Sequence, residues 1–210
     1  MYRIKNKKTR YVKSFVSPNS REMHTIDILI VILVTGLLIL FIKNYYGERE
    51  YLKSSIDDRY YLVYKLKNSQ QAADYLAEIN SKLLRLTRHM MAKYGESKDA
   101  HQLYQNFNPN SIQEGSPDSG YTSYSYNKGE KLILCIRQAD HSFVDKNVIM
   151  YVSIHELAHI MTKEVGHTQM FWDNFKFLLQ EAINLGLYKK IDFNKKPKDY
   201  CGIKISNSII

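Results

Sequence analysis

The stretch HELAHIMTKEVGH, His155 to His167, carries three of the chain's seven histidines, with a glutamate directly after the first. On a helix, residues four apart share a face, so the imidazoles of His155 and His159 can converge on one ion. Zinc would then sit about 2.0–2.1 Å from each nitrogen. Glu156 is rotated about 100° from His155 and points elsewhere, where it can reach a water beside the ion. Zinc lowers the pKa of such a water toward ~7, and a neighbouring carboxylate can take its proton. With seven His and ten Glu among 210 residues, chance gives H-E-x-x-H about 0.01 times per chain, so the spacing itself carries information.

A catalytic zinc takes three protein ligands and keeps one position open. His167 is the best third candidate, because Gly166 can turn the chain so that His167 swings back toward the same ion. Glu164, just after the motif, and Glu181, on the following helix, are its rivals. Asp173 and Glu181 could otherwise hold a ligand imidazole through its free N–H. An oxyanion formed during hydrolysis needs a donor besides the metal; Tyr124 or Tyr126 of YTSYSY is the expectation.

These residues need a scaffold. Asp145 can cap the helix VDKNVIMYVSIHELAHIMTKEVG, and Gly166 is expected to end it. Val148 and Val152 extend the histidine face, while Ile154, Leu157, Ala158 and Met161 form the opposite face, so both are expected to be buried. A second helix begins near His167 or Thr168, with Phe171, Phe175, Leu178, Ala182 and Leu185 on one stripe, and Gly186 ends it. Upstream, Ala72, Leu76, Ile79, Leu83, Leu86 and Met90 step by four and three, predicting a core-facing helix that stops at Gly95. YTSYSY–NKG–EKLILCIR reads as a hairpin with a polar outer arm and an apolar inner arm. Such an outer arm could pair with an extended peptide by strand addition. Residues 96–120, with Pro109, Gly115, Pro117 and Gly120, read as loop. The close, KPKDYCGIKISNSII, reads as a turn and one short strand. Cys135 and Cys201 both adjoin apolar residues and lack CxxC spacing, so they are expected to be buried free thiols, with a disulfide between them the alternative if the domain faces an oxidising compartment.

The formal charge of +9 is uneven. Residues 1–24 hold seven Lys/Arg against Glu22, which leaves 23 basic and 20 acidic side chains in the other 186. The basic character is therefore mostly an N-terminal tail, and no nucleic-acid partner is expected. After it comes TIDILIVILVTGLLILFIKNYY, uncharged from Ile28 to Ile42 and bounded by Asp27 and Lys43. It has no polar face and no small-x-small cleavage site after it, so it reads as a single transmembrane helix over residues 25–46. The basic flank places the N-terminus in the cytosol, on anionic lipid headgroups, and the rest of the chain on the far side. Residues 47–70 read as a stalk or helical lead-in, 71–205 as the folded domain and 206–210 as a tail.

HELAH followed by GHTQMFW resembles the zinc metallopeptidases of the WLM and SprT-like families: HExxH, a short spacer, Gly-His, then an aromatic residue. His155, Glu156, His159, Gly166, His167 and Phe171 match. The resemblance implies that His155, His159 and His167 bind Zn²⁺ and that Glu156 is the general base. It also implies a minimal zincin-like α+β fold, with a short sheet beside the active-site helix. TSYSYNKGEKLILC, the HELAH helix, GHTQMFWDNFKFLLQEA and YCGIKI resemble, in this order, segments of WLM-like proteins of large DNA viruses and algae, over roughly residues 71–205. The eight-residue step from His159 to His167 is longer than in HExxHxxGxxH proteins. Recognisable family members are usually soluble and tied to DNA repair, so a DNA–protein crosslink substrate is not carried over to a chain with a membrane segment.

The function expected is a membrane-anchored zinc metalloendopeptidase acting on a protein or peptide, in a viral or virion membrane among the possibilities. The alternative is an inactive membrane-anchored zinc-binding scaffold, in which Glu156 would have no task.

Overall fold

The computed structural model describes residues 25–46, 48–116 and 122–210, with side chains of 43–46 outside the description. The basic tail, and Pro117 and Gly120 of the expected loop, therefore lie outside the described residues. The chain divides into two compact units, 1–46 and 47–210.

In the first unit, Thr25–Tyr46 forms one helix, α1. Over Thr25–Ile42 the mean hydropathy is 2.9, and the helix is long and apolar enough to cross a membrane by length and composition. Twenty-two residues at about 1.5 Å each give roughly 33 Å, against a hydrocarbon core of about 30 Å.

The second unit is α+β. Strands β1 (Arg49–Lys53), β2 (Tyr60–Tyr64), β3 (Ile112–Glu114), β4 (Ser123–Tyr126) and β5 (Lys131–Leu134) form one mixed sheet in the order β1-β2-β3-β5-β4. The two outer pairs are antiparallel and the inner pairings parallel. Four helices accompany it: α2 (Ser69–Tyr94), α3 (Lys98–Asn106), α4 (Lys146–Met161) and α5 (Gln169–Asn184). A separate hairpin, β6 (Lys198–Tyr200) with β7 (Ile203–Ile205), closes the chain.

Local pattern and packing agree along the helices. Ala72, Leu76, Ile79, Leu83, Leu86 and Met90 of α2 are all fully buried, as their stripe predicts. The stripe Phe171, Phe175, Leu178 and Ala182 of α5 is buried likewise. Helix α4 is buried on nearly every side, between α5, α3 and strand β4. Asp145 caps its first turn by accepting from the N–H groups of Asn147 (2.9 Å) and Val148 (3.2 Å). The hairpin of β4 and β5 forms as expected, β4 at the edge with alternating exposure and β5 buried inside.

Several expectations are corrected. Residues 47–70 are no stalk or helical lead-in: they contain β1 and β2, whose Tyr61 and Val63 enter the core. Residues 96–120 are not simply loop, since α3 and β3 lie within them. Helix α4 ends at Met161, not at Gly166, because carbonyls of its last turn find partners elsewhere in the fold. The C-terminal segment holds two strands instead of one. Cys135 and Cys201 are joined in a disulfide that ties the β6–β7 turn to the end of β5; sixty-six residues of sequence separate them, and only the fold brings them together.

Candidate metal centre

Helix α4 presents His155 and His159 one turn apart on the side facing a cleft, and the segment after it returns His167 to the same place. The ligating nitrogens of the three imidazoles lie within 4.8 Å of one another. The Nε2 atoms of His155 and His167 are 3.1 Å apart. A tetrahedral ion with Zn–N of about 2.05 Å puts its ligand nitrogens about 3.3 Å apart, so this spacing fits a shared metal. The donor set fits as well. Burial, with the His159 and His167 rings adding to it, pulls His155 down to about 3. Burial, then His167 and Lys128, pulls His159 down to about 4. Both rings are therefore neutral near pH 7 and offer lone pairs rather than protons.

The rings are held by packing. Phe171 is fully buried and lies 4.9 Å from His155, 4.3 Å from His159 and 4.7 Å from His167, centroid to centroid. Trp172 stacks on His167 at 5.4 Å. Thr168 caps α5 by accepting from the Phe171 N–H, which sets where this aromatic wall begins.

Glu156 follows His155 on α4, reaches toward β4 and is 5% exposed. Its Oε2 accepts from the backbone N–H of Ser125 at 2.9 Å. Burial pushes its carboxyl up to about 7, with the Ser125 hydrogen bonds pulling the other way. Glu156 and the three histidines line one cavity of about 790 Å³, between β4, α4, α5 and the C-terminal hairpin. Its walls are largely aromatic and aliphatic, with Tyr151, Phe175, Trp172 and Ile205 among them.

The rival ligands are placed elsewhere. Glu181 accepts from Lys93 Nζ (3.2 Å) and Tyr94 Oη (3.1 Å) and pairs with His89 Nε2 (2.6 Å), outside the histidine cluster. Glu164 lies on the exposed segment after α4, and Asp173 accepts from the Gln169 side chain on the surface of α5. None of the three joins the cluster, and neither Asp173 nor Glu181 orients a cluster imidazole. Of the two tyrosines expected as oxyanion donors, Tyr124 lines the cavity and Tyr126 does not.

Three residues at the site escaped the sequence reading. Ser125 bonds Glu156 through its main-chain N–H and its side chain, a contact between β4 and α4 that no local pattern reveals. Tyr200 reaches the cavity from β6, bonds the Ser123 hydroxyl and is buried, which pushes its own hydroxyl up. Lys128 was visible only as the middle of a turn.

A family model described as the WLM domain matches residues 59–209. An uncharacterised protein of Acanthamoeba polyphaga mimivirus is 32% identical over 190 residues, 88% of this chain and 96% of its own length. A second uncharacterised protein, from Invertebrate iridescent virus 6, is 38% identical over 99 residues, 45% of this chain and 53% of that protein. Among solved structures, Wss1 from Saccharomyces cerevisiae is 20% identical with a TM-score of 0.44, over 58% of this chain and 86% of Wss1.

Proposed function

The chain belongs to the WLM family, of zinc-metallopeptidase type, and from that premise we propose that it is a zinc-dependent metalloendopeptidase anchored to a membrane by α1. In this reading His155, His159 and His167 hold the metal and Glu156 is the general base. The observation that carries it is the meeting of three imidazole nitrogens within 4.8 Å beside a buried carboxylate in one cleft. Among the described residues the cluster offers three ligands and no fourth, the count expected of an open, catalytic site.

Zinc held there would supply Lewis-acid polarisation of the scissile carbonyl and a more acidic water. The protein's part follows from its own groups. Ser125 fixes one carboxylate oxygen of Glu156, which leaves Oε1 to take a proton from the attacking water and pass it to the leaving amine. A carboxyl drawn up toward neutrality suits both halves of that transfer. Strand β4 is an edge strand above the cleft, so an extended peptide can pair along it and lie across the histidines. Tyr124 is the proposed donor to the developing oxyanion.

The disulfide supports placing residues 47–210 in an oxidising compartment, opposite a cytosolic basic tail. The viral relatives support a viral membrane as the setting.

The test is cleavage of an unfolded protein such as casein by the full chain in detergent. Activity should disappear with a chelator and return with one equivalent of zinc. Cleavage that survives complete metal removal would sink the proposal.

A further inference from the structure

Helix α4 must end with its last carbonyls satisfied, and the partners they find are informative. The Ala158 carbonyl accepts from the Thr162 N–H. Those of Ile160 and Met161 accept from the Gln102 side chain at 2.8 and 3.3 Å. That of His159 accepts from Lys128 Nζ at 3.2 Å. Lys128 does not stop at the helix. Its ammonium also donates to the carbonyls of Thr162 (2.7 Å) and Glu164 (2.6 Å), on the segment that leads to His167.

Thr162 is buried and also accepts from the Asn174 side chain at 3.1 Å; beyond it, until His167 meets Phe171 and Trp172, the chain runs along the surface. Residues 163–167 are all exposed, Val165 by 88%. An eight-residue step from His159 to His167 leaves a loop whose freedom opposes bringing His167 back to the other two rings. The clamp at Glu164 leaves only Val165 and Gly166 between a fixed carbonyl and His167.

The turn carrying Lys128 is built for close approach. Asn127, Lys128 and Gly129 take φ of +43°, +54° and +112° in succession. A left-handed lysine is disfavoured on its own, so the surrounding contacts must over-determine it. A Cβ on Gly129 would lie 2.5 Å from the Asn106 carbonyl oxygen and 3.1 Å from Ile160 Cγ2. The turn is thus pressed between the end of α3 and the last turn of α4, with no room to move away.

We infer that Lys128 is a positioning residue for the metal centre: by gripping the carbonyls of His159, Thr162 and Glu164 at once, it fixes the exposed 163–167 segment so that His167 meets His155 and His159. An ordinary cation at a helix C-terminus would need only the first of these acceptors; the other two lie beyond the helix. The inference rests on the reading of the three histidines as metal ligands.

The experiment is a double-mutant cycle on the full chain, with Co²⁺ as the probe and its visible d–d absorption and a competing chelator as readouts. Lys128→Met should weaken Co²⁺ binding about 10- to 100-fold, the range for groups that orient metal ligands. His167→Ala should weaken it too, and adding Lys128→Met to His167→Ala should change affinity by no more than about twofold. Far-UV circular dichroism of the metal-free variants separates this from unfolding. Should Lys128→Met not fold, Lys128→Gln, a neutral donor of similar reach, carries the same cycle. Unchanged affinity in the single variant, or the same loss repeated on the His167→Ala background, overturns the inference and leaves the metal reading standing. A wild-type chain that binds no Co²⁺ overturns both.

Discussion

The backbone N–H of Ser125 donates to Oε2 of Glu156 at 2.9 Å, joining the edge strand of the sheet to the buried carboxylate of the HELAH helix. One outward N–H of β4 is thereby committed to the proposed base, so the strand that would receive a peptide also aims the group that would activate water. The Ser125 hydrogen bonds favour the charged carboxylate, whereas burial opposes it. Ser125→Ala removes the side-chain part of that support while leaving the N–H in place. The acidic limb of a pH–rate profile for kcat/KM should therefore move to higher pH in this variant. A limb that stays put or moves down would show that the Ser125 side chain does not tune Glu156.

Burial of Glu156 has a stability consequence in the metal-free chain. Its carboxyl is raised from 4.5 to about 7 on folding, so the folded state resists ionisation. Below pH ~4.5 the group is protonated in both states and costs nothing; as pH rises through 7 the cost grows to its full value. One pKa unit is about 1.4 kcal/mol, which makes that value on the order of 3 kcal/mol. Metal-free Glu156→Gln should match the wild type in urea at pH 4 and exceed it by about that much at pH 8. Equal stability at pH 8 would mean that the carboxylate is better solvated than its 5% exposure implies.

Glu181 separates structure from chemistry. Replacing it with Ala leaves His89, Lys93 and Tyr94 without their shared acceptor, at a cost of about 1–3 kcal/mol. Metal content should be unchanged, because Glu181 stands outside the histidine cluster. Loss of metal from a folded Glu181→Ala chain would contradict the assignment of His167 as third ligand.

The disulfide closes a loop between residues 66 apart. On chain-entropy grounds its removal costs about 4 kcal/mol. Cys135→Ser with Cys201→Ser should lower the unfolding midpoint by that equivalent, and a reducing agent should do the same to the wild type. No difference between reduced and oxidised wild type would argue against the bond.

How much was legible in the sequence follows from where each feature's information resides. Helices α2, α4 and α5 were readable because each turn repeats its own apolar stripe, and Asp145 and Thr168 mark two of their starts locally. The histidine pair was readable because one helix turn sets its geometry. Strands β1 and β2 were not: REYLK and YYLVY mix charge and tyrosine, and only pairing with the sheet gives them an inner face. Helix α3 buries only Ala100 and Leu103, too few to outweigh a loop-like composition. The end of α4 was misread because Gly166 is a local signal, whereas the actual stop is supported by Lys128 and Gln102, each more than thirty residues upstream. The Cys135–Cys201 bond is likewise a long-range fact that neither flank announces.

The most direct test compares the wild-type full chain with Glu156→Gln, measuring zinc per chain and peptide cleavage on the same samples. The account predicts one zinc in each, cleavage by the wild type, and a loss of about 10²–10⁴-fold in the variant. A variant that cleaves as fast as the wild type would contradict the role given to Glu156, and a wild type without zinc would contradict the metal centre itself.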